Sequence, residues 1–438
     1  MDTYRGKNVL VFGLGILGGG VATTNWLLDR GARVTVTDLK SHEQLDAAIK
    51  EIRGDVVFRL GGHSRGDIDA NDVVVINPDV PLKNEFIQYA LALGKRVENE
   101  ATIFFEQFPG KLIAITGTRG KTTTALWTNH FLATTFRSST AGNSTSNPYL
   151  SVLSNAGELD VVVAEVPSYH LELFPCGRSP DIALITNISP DHLNRYESLN
   201  DYASTKANIF RGQRNSDHLV LNADDGYTDF FRAKKPAAVI SYFSGDSRRP
   251  DNVALAGFNR GEHNVMNLLA AARAASLAGC PWEAINAAIP TLPQPAMRQE
   301  VVLRNDRLTV INDTTATSPE GARAAFKRFG GPHTVFIVGG TDRQLEFGSW
   351  AQDAARLGPD AFVFLAGSAT QKMLTSLGWT KQPFDTLGEC VQAALDRARL
   401  LPNATIVFSP GAKSFEKFKN EYDRGEQFVR AVHDLQEL

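Results

Sequence analysis

The chain has 438 residues, 43% hydrophobic and 21% charged, which is enough for two or three packed domains and too apolar for a disordered chain. A net charge of −3 gives no bulk electrostatic attraction for nucleic acid. Cys176, Cys280 and Cys390 are widely spaced, make no metal pattern and read as buried thiols of a reducing compartment, and nothing beside Cys390 supports a nucleophile.

The uncharged run from Asn8 to Leu28, preceded by Arg5 and Lys7, has the outline of a signal peptide or membrane helix. Its glycines, Gly13, Gly15, Gly18, Gly19 and Gly20, suit a strand, turn and helix instead, so the expected location is cytoplasmic with no membrane partner. NVLVFGLG reads as a strand, GVATTNWLLDRGA as a helix, and RVTVTD and DVVVINP as further strands. A second alternation starts at KLIAITGT and runs through LDVVVAEV, DIALITNI and HLVLNADD, each an apolar strand with a polar end. A third follows the proline-rich PTLPQPAMR: LTVIND, TVFIVGG, AFVFLAG and TIVFSPG. The rhythm predicts parallel α/β sheets, which bind ligands beyond the carboxyl ends of their strands. Boundaries are expected near Pro109 and Pro295.

Gly13-Leu14-Gly15-Ile16-Leu17-Gly18 has GxGxxG spacing between a strand and a helix, and Asp38 ends the next strand. Such a loop either binds a nucleotide or nucleotide sugar, or is a glycine turn needed for close helix–strand packing. AITGTRGKTTTALW carries the end of a phosphate-binding loop, Gly120-Lys121-Thr122, but Ile115 stands where the full pattern wants a glycine. The strand before it and the helix after it are the context a P-loop needs: helix-start amides for phosphate, Lys121 for the terminal phosphates, and a threonine hydroxyl for Mg²⁺. Glu165 ends the strand LDVVVAE, and His192 lies just past DIALITN. With Lys121 they follow strands of one sheet at one edge, and a hard cation takes such oxygen ligands. Lys206, in DYASTKANIF, reads by default as a solvated helix lysine.

ITGTRGKTTT, NISPDHLNRY, GEHNVMNLLAA, INDTTATSPEGARAAF and SPGAKSFEKFKNEYDRGEQF together resemble the Mur ligase family, in order and over essentially the whole chain. The shortened loop GTxGKT is the form that family uses. The resemblance implies an α/β fold of three domains: a Rossmann-like domain for the UDP-sugar over 1–108, a P-loop-type ATPase domain with a parallel sheet over 109–296, and a Rossmann-like amino-acid domain over 297–438. It implies ATP-dependent addition of D-glutamate to UDP-N-acetylmuramoyl-L-alanine through an acyl phosphate, in a monomer, with ATP between the second and third domains. Gly13, Gly15 and Asp38 are then expected at the uridine, with Asn77 in the pyrophosphate-side loop. Gly117, Thr118, Arg119, Gly120, Lys121, Thr122 and Thr123 are expected at ATP's phosphates, Asn264 and Asn267 at adenine, and Arg298 and Asp313 at phosphate and ribose. Asn143, Ser168 and His170 fall beside the muramoyl substrate, and Thr317, Arg343 and Ser414 at the glutamate carboxylates. Thr122, Glu165, His192 and Lys206 are expected to hold two Mg²⁺ ions, with Lys206 carbamylated by CO₂. Lys121, His192 and Lys206 are the expected catalytic residues.

The chain departs from the family pattern at several points. The usual ELSSFQLE is EVPSYHLE, which places Pro167 and His170; His170 can donate, with a charge that responds to pH. Thr315 replaces the lysine of NDSKAT, and Arg343 replaces the lysine of DKG. Glu421 stands where the family often has an aromatic residue. These changes bear on which amino acid is added. A ligase adding L-glutamate or another amino acid, a folylpolyglutamate-type ligase, a non-catalytic nucleotide-binding regulator and a dinucleotide-dependent oxidoreductase are the competing readings. The N-terminal glycine-loop domain, the intact Lys121, Glu165, His192 and Lys206, and the GKT loop speak against the last three in turn.

Overall fold

The computed structural model describes residues 3–16, 18–142, 147–191, 195–245, 253–255, 258 and 261–436. The chain divides into two compact units, Met1–Pro293 and Gln294–Leu438.

The first unit carries two sheets, parallel throughout. One takes β1 (Asn8–Phe12), β2 (Arg33–Asp38), β3 (Val56–Leu60), β4 (Val73–Ile76) and β5 (Arg96–Glu98) in the order β3-β2-β1-β4-β5. The other takes β6 (Lys111–Thr116), β7 (Ser138–Gly142), β8 (Val161–Glu165), β9 (Ile182–Ile185), β10 (His218–Asn222) and β11 (Val239–Phe243) in the order β11-β10-β9-β6-β8-β7. In both sheets the strand order reverses beside a central strand, β1 or β6, and the glycine loops follow those two strands. That is where open α/β sheets offer a crevice. Central strands such as β4 and β9 are buried at every position, because helices cover both faces, so they read as unbroken apolar runs.

Glu172 and Arg195 tie the two sheets together. Their ion pair measures 2.6 Å, and both side chains are largely buried. Arg195 also donates to the Pro78 carbonyl at 2.8 Å, and Glu172 accepts from the Leu82 amide at 3.1 Å. The turn after β4 is thereby fixed against the segment after β8. The helix Glu262–Ala278 packs against the helix Lys121–Leu132 through a face rich in alanine, from Ala270 to Ala275, which permits close approach.

The second unit has β12 (Glu300–Arg304), β13 (Leu308–Asn312), β14 (Thr334–Gly339), β15 (Phe362–Leu365) and β16 (Ala404–Phe408) in the order β12-β13-β16-β14-β15. Only β12 runs antiparallel to its neighbour. Arg424, in the helix Glu421–Gln436, is fully buried. Its guanidinium donates to Thr314 Oγ1 (3.0 Å), Thr314 O (2.7 Å), Ala412 O (3.1 Å) and Lys413 O (3.1 Å), and burial lowers its pKa to about 9. One side chain thus ties the loop after β13 to the loop after β16.

Replacing Arg424 by Met leaves those buried acceptors unmet and is expected to cost about 3 kcal/mol of second-unit stability. Urea unfolding of the full chain followed by the fluorescence of Trp350 and Trp379 measures this; an unchanged midpoint contradicts the role given to Arg424.

Candidate active site

The glycine loop after β1 is shaped by left-handed backbone. Gly13 has φ 93° and Gly15 φ 65°, and a Cβ on Gly13 would lie 3.0 Å from Asn77 Cβ. Asp38, at the end of β2, accepts from the amides of Leu14 (2.9 Å) and Gly15 (3.0 Å) with one oxygen and from Lys40 N (2.9 Å) with the other. The carboxylate therefore builds the loop as well as facing it. Asn77 follows β4 and accepts from the Asp79 amide at 3.1 Å. Gly13, Gly15, Asp38 and Asn77 thus come together at one sheet edge. Behind the loop, Thr23 donates to the buried carboxyl of Glu100 at 2.8 Å, and burial raises that carboxyl's pKa to about 7.

The second loop joins β6 to the helix Lys121–Leu132. Gly117 has φ 142°, and a Cβ there would sit 1.9 Å from Thr186 Oγ1; Gly120 has φ 81°, and a Cβ there would sit 2.2 Å from Asn267 Oδ1. No other residue type fits either position without moving its neighbours. The segment after β9 braces the loop: Thr118 N donates to Asn187 O (2.9 Å), Arg119 N to Asn187 Oδ1 (3.0 Å), and Thr186 Oγ1 to Arg119 O (2.7 Å). Thr123 is buried in the first turn of the helix, and Thr122 beside it is half-buried. Asn264 and Asn267 are buried against this loop and bonded to each other at 3.1 Å.

Lys121 Nζ donates to the carbonyls of Gly117 (3.0 Å) and Thr118 (3.1 Å). Lys206 Nζ donates to the same Gly117 carbonyl (2.9 Å) and to Thr116 Oγ1 (3.3 Å). Lys206 is 1% exposed, so the default of a solvated helix lysine does not hold: it comes from the helix Leu199–Ala207 and points into the loop. Burial, then the charge of Lys121, lowers its pKa well below the ordinary lysine value. Glu165 pairs in register with Ile115 at the end of β6, so its side chain stands at the same edge as the loop. Its carboxylate is half-buried, the kind of hard oxygen donor a divalent cation takes, and Thr122, in the first turn of the helix Lys121–Leu132, carries a hydroxyl oxygen of the same kind. Among the described residues no group of three or more His, Cys, Asp and Glu gathers for a metal. His192 and Asn143 lie outside the described residues.

Ser168 is buried at the start of the short helix Ser168–Leu171, for which Pro167, with φ −62°, serves as N-cap. His170 is fully buried, edge-on to Tyr149 and Tyr169, and neither ring nitrogen has a partner. Burial, with the nearby Arg195 charge, lowers its pKa to about 3. The expected pH response is therefore corrected: the imidazole stays neutral through the physiological range, because the protein gives its cation neither water nor an acceptor.

In the second unit, Asp313 directly follows β13 and is buried, and its pKa is raised to about 7 by that burial, although Ser409 Oγ (2.7 Å) and Gln299 N (3.1 Å) donate to it and Arg298 lies close enough to act on its charge. Thr317 Oγ1 accepts from Lys413 Nζ at 3.3 Å. The Arg343 guanidinium lies over the Phe415 ring at 4.5 Å, and Ser414 Oγ is buried without a partner. Glu421 sits in the first turn of its helix, where an acidic residue complements the helix dipole.

The chain matches known proteins over nearly its whole length. Residues 7–98 match the model of the Mur ligase MurD-like N-terminal domain, and residues 115–259 that of the Mur ligase middle domain. A UDP-N-acetylmuramoylalanine--D-glutamate ligase from Roseiflexus sp. (strain RS-1) is 36% identical, over 98% of this chain and 99% of the relative. The chain belongs to the Mur ligase family. A second such ligase, from Geobacter metallireducens, is 32% identical over 98% of both chains. Among solved structures, the Mur ligase MurC from Thermotoga maritima aligns with a TM-score of 0.61 at 20% identity, covering 98% of this chain and 100% of that one. MurF from Acinetobacter baumannii gives 0.60 at 17%, covering 99% and 92%. These two likenesses concern the fold, and the three sheets are those of a three-domain Mur ligase. No helix among the described residues is long and apolar enough to cross a membrane.

Sequence reasoning missed Thr186 and Asn187 as braces of the phosphate loop, although TNIS was read as a strand end. It also missed the Glu172–Arg195 pair, Glu100 and Lys413, whose partners are 23 or more residues away in the chain.

Glu100 gives a pH prediction. Its folded pKa of about 7 lies above the ordinary carboxyl value of 4.5, so the folded state keeps the proton longer, and stability falls as pH rises through that window. Glu100→Gln should remove up to about 3 kcal/mol of this decline. Urea midpoints of wild type and variant at pH 5 and pH 8 check it, and parallel pH dependences in the two proteins contradict it.

Proposed function

We propose that the chain joins D-glutamate to UDP-N-acetylmuramoyl-L-alanine, cleaving ATP to ADP and phosphate, as a step of peptidoglycan precursor synthesis. The observation that carries this reading is the phosphate loop with two lysines on one carbonyl and a carboxylate beside it, in a Mur ligase whose relatives bear that name. The alanyl carboxylate attacks the γ-phosphate, and two anions must meet. Lys121 and the amides at the start of the helix Lys121–Leu132 hold and neutralise the phosphates. Thr122 and Glu165 would hold Mg²⁺, which would supply charge neutralisation there when bound. The amine of glutamate then attacks the acyl phosphate, phosphate leaves and an amide remains. Glycine-loop contacts from Gly13, Gly15, Asp38 and Asn77 take the UDP part, Ser168, His170 and Asn143 the muramoyl part, Asn264 and Asn267 adenine, Arg298 and Asp313 ribose and phosphate, and Thr317, Arg343 and Ser414 glutamate.

Lys206 is the residue proposed to carry CO₂ as a carbamate. Burial, then the Lys121 charge, shifts the Lys206 amine toward its uncharged form, and the uncharged amine is the form that reacts with CO₂. The carbamate would replace the amine with oxygen donors, and together with His192 it would hold a second Mg²⁺. The proposed protein is a cytoplasmic monomer acting on small molecules, with domains over 1–108, 109–296 and 297–438.

An amino-acid panel with UDP-N-acetylmuramoyl-L-alanine and Mg·ATP should release ADP with D-glutamate at least tenfold faster than with L-glutamate or any neutral amino acid. Release with none of them ends the proposal, and release with a different one reassigns the acceptor. Lys206→Ala should lose on the order of 100-fold in kcat, with partial recovery when short carboxylic acids are added. A wild-type protein that shows no carbamate ¹³C resonance under ¹³CO₂ contradicts the modification and leaves the ligase reading intact.

A further inference from the structure

The second unit shows how this chain offsets the lysine missing at position 315. Thr315 is half-buried and turned inward: its hydroxyl donates to the Met297 carbonyl at 2.9 Å, and its amide to the same carbonyl at 3.3 Å. That side chain is committed to its own loop.

A cation reaches the loop from elsewhere. Lys413, in the loop after β16, donates from Nζ to Thr317 Oγ1, two residues beyond Thr315. Its backbone is clamped. Lys413 and Thr341 exchange amide–carbonyl bonds of 3.1 and 2.8 Å, and buried Arg424 donates to the Lys413 carbonyl. The two residues that follow are Ser414, with its buried and unpartnered hydroxyl, and Phe415, the exposed ring beneath the Arg343 guanidinium. Two nearby acids have partners of their own. Asp342 pairs with Lys372, and Glu416 accepts from the amide and hydroxyl of Ser368. One short segment therefore carries a lysine on a clamped backbone, a buried hydroxyl with no hydrogen-bond partner and a ring that holds a guanidinium.

We propose that Lys413 is a substrate-binding residue: with Arg343 it forms a two-cation clamp for the two carboxylates of the acceptor amino acid. This rests on the acceptor site assigned under Proposed function and deepens it. Arginine offers a planar fork and lysine a point charge on a flexible stem, so the clamp combines one oriented contact with one adaptable contact. Ser414, the residue after Lys413, adds a hydroxyl to the same segment. A dicarboxylic acceptor answers both cations, and one with a neutral side chain leaves a cation unmatched.

The test is steady-state kinetics of wild type, Lys413→Ala, Lys413→Met and Lys413→Arg. The Met variant keeps the aliphatic stem if Ala disturbs the fold. Ala and Met should raise the KM for D-glutamate about tenfold or more, with the KM values for ATP and the UDP-sugar within about twofold of wild type, and Arg should recover most of the loss. Lys413→Ala combined with Thr315→Lys should regain part of it, because the charge returns to the same loop. A KM for D-glutamate that stays within about twofold in both Ala and Met, or a loss shared equally by the KM for ATP, overturns the inference. Wild-type turnover with D-glutamate separates the levels. No turnover there overturns the ligase reading and the clamp together, whereas turnover with unchanged KM in the variants overturns the clamp alone.

Discussion

The Gly117 carbonyl accepts from two lysine side chains, and the rest of the first unit is organised around that contact. Two lysine amines converge on one oxygen, and the burial of Lys206 together with the neighbouring Lys121 charge disfavours its charged form. The glycine is obligatory because Thr186 fills the space where a side chain would go, and Thr186 in turn bonds the Arg119 carbonyl. The phosphate loop is therefore not a flexible ribbon that waits for its ligand. It is braced from β9, floored by Asn267 and charged from below by a helix that is distant in sequence. Missing one glycine of the longer loop pattern has little consequence when neighbouring strands supply the support.

The glycine loop of the first sheet solves a similar problem by other means. Its amides are held by a carboxylate, Asp38, rather than by a carbonyl-lined floor. The same side chain that sequence reading assigns to ligand recognition also keeps the loop in shape. Loss of that carboxylate would remove recognition and scaffold together, so the two contributions are not separable by one substitution. Glu172 and Arg195 extend this logic across the unit, since their pair fixes the turn that carries Asn77 and Pro78 against the segment entering the short helix with Ser168 and His170.

Much of the architecture was legible because central parallel strands are buried on both faces and read as apolar runs. The strands that did not show, β3, β5, β7, β11 and β12, all lie at sheet edges. There one side meets water, and the residues alternate or turn polar, as in Val56–Leu60 and in the SSTAG of β7. Site residues followed the same division. Those on motifs at strand ends were readable, because spacing along one strand–loop–helix sets their position. Lys206 was invisible to pattern and entered only through family resemblance, since nothing in DYASTKANIF signals that its lysine faces inward. The burial of His170 was unreadable for a related reason: a histidine on a short helix carries no sign of the two tyrosines that enclose it.

The guanidinium of Arg424 bonds the chain at Thr314 and at Ala412 and Lys413, holding two loops with one rigid plane. Those loops share a mechanical joint, so a shift in either is transmitted to the other. Transplanting one of them from a relative with a different acceptor would strain the joint and misplace its neighbour. Retargeting this half of the molecule therefore calls for exchanging both loops as a matched set with the arginine between them, and piecemeal grafts should yield folded but idle hybrids.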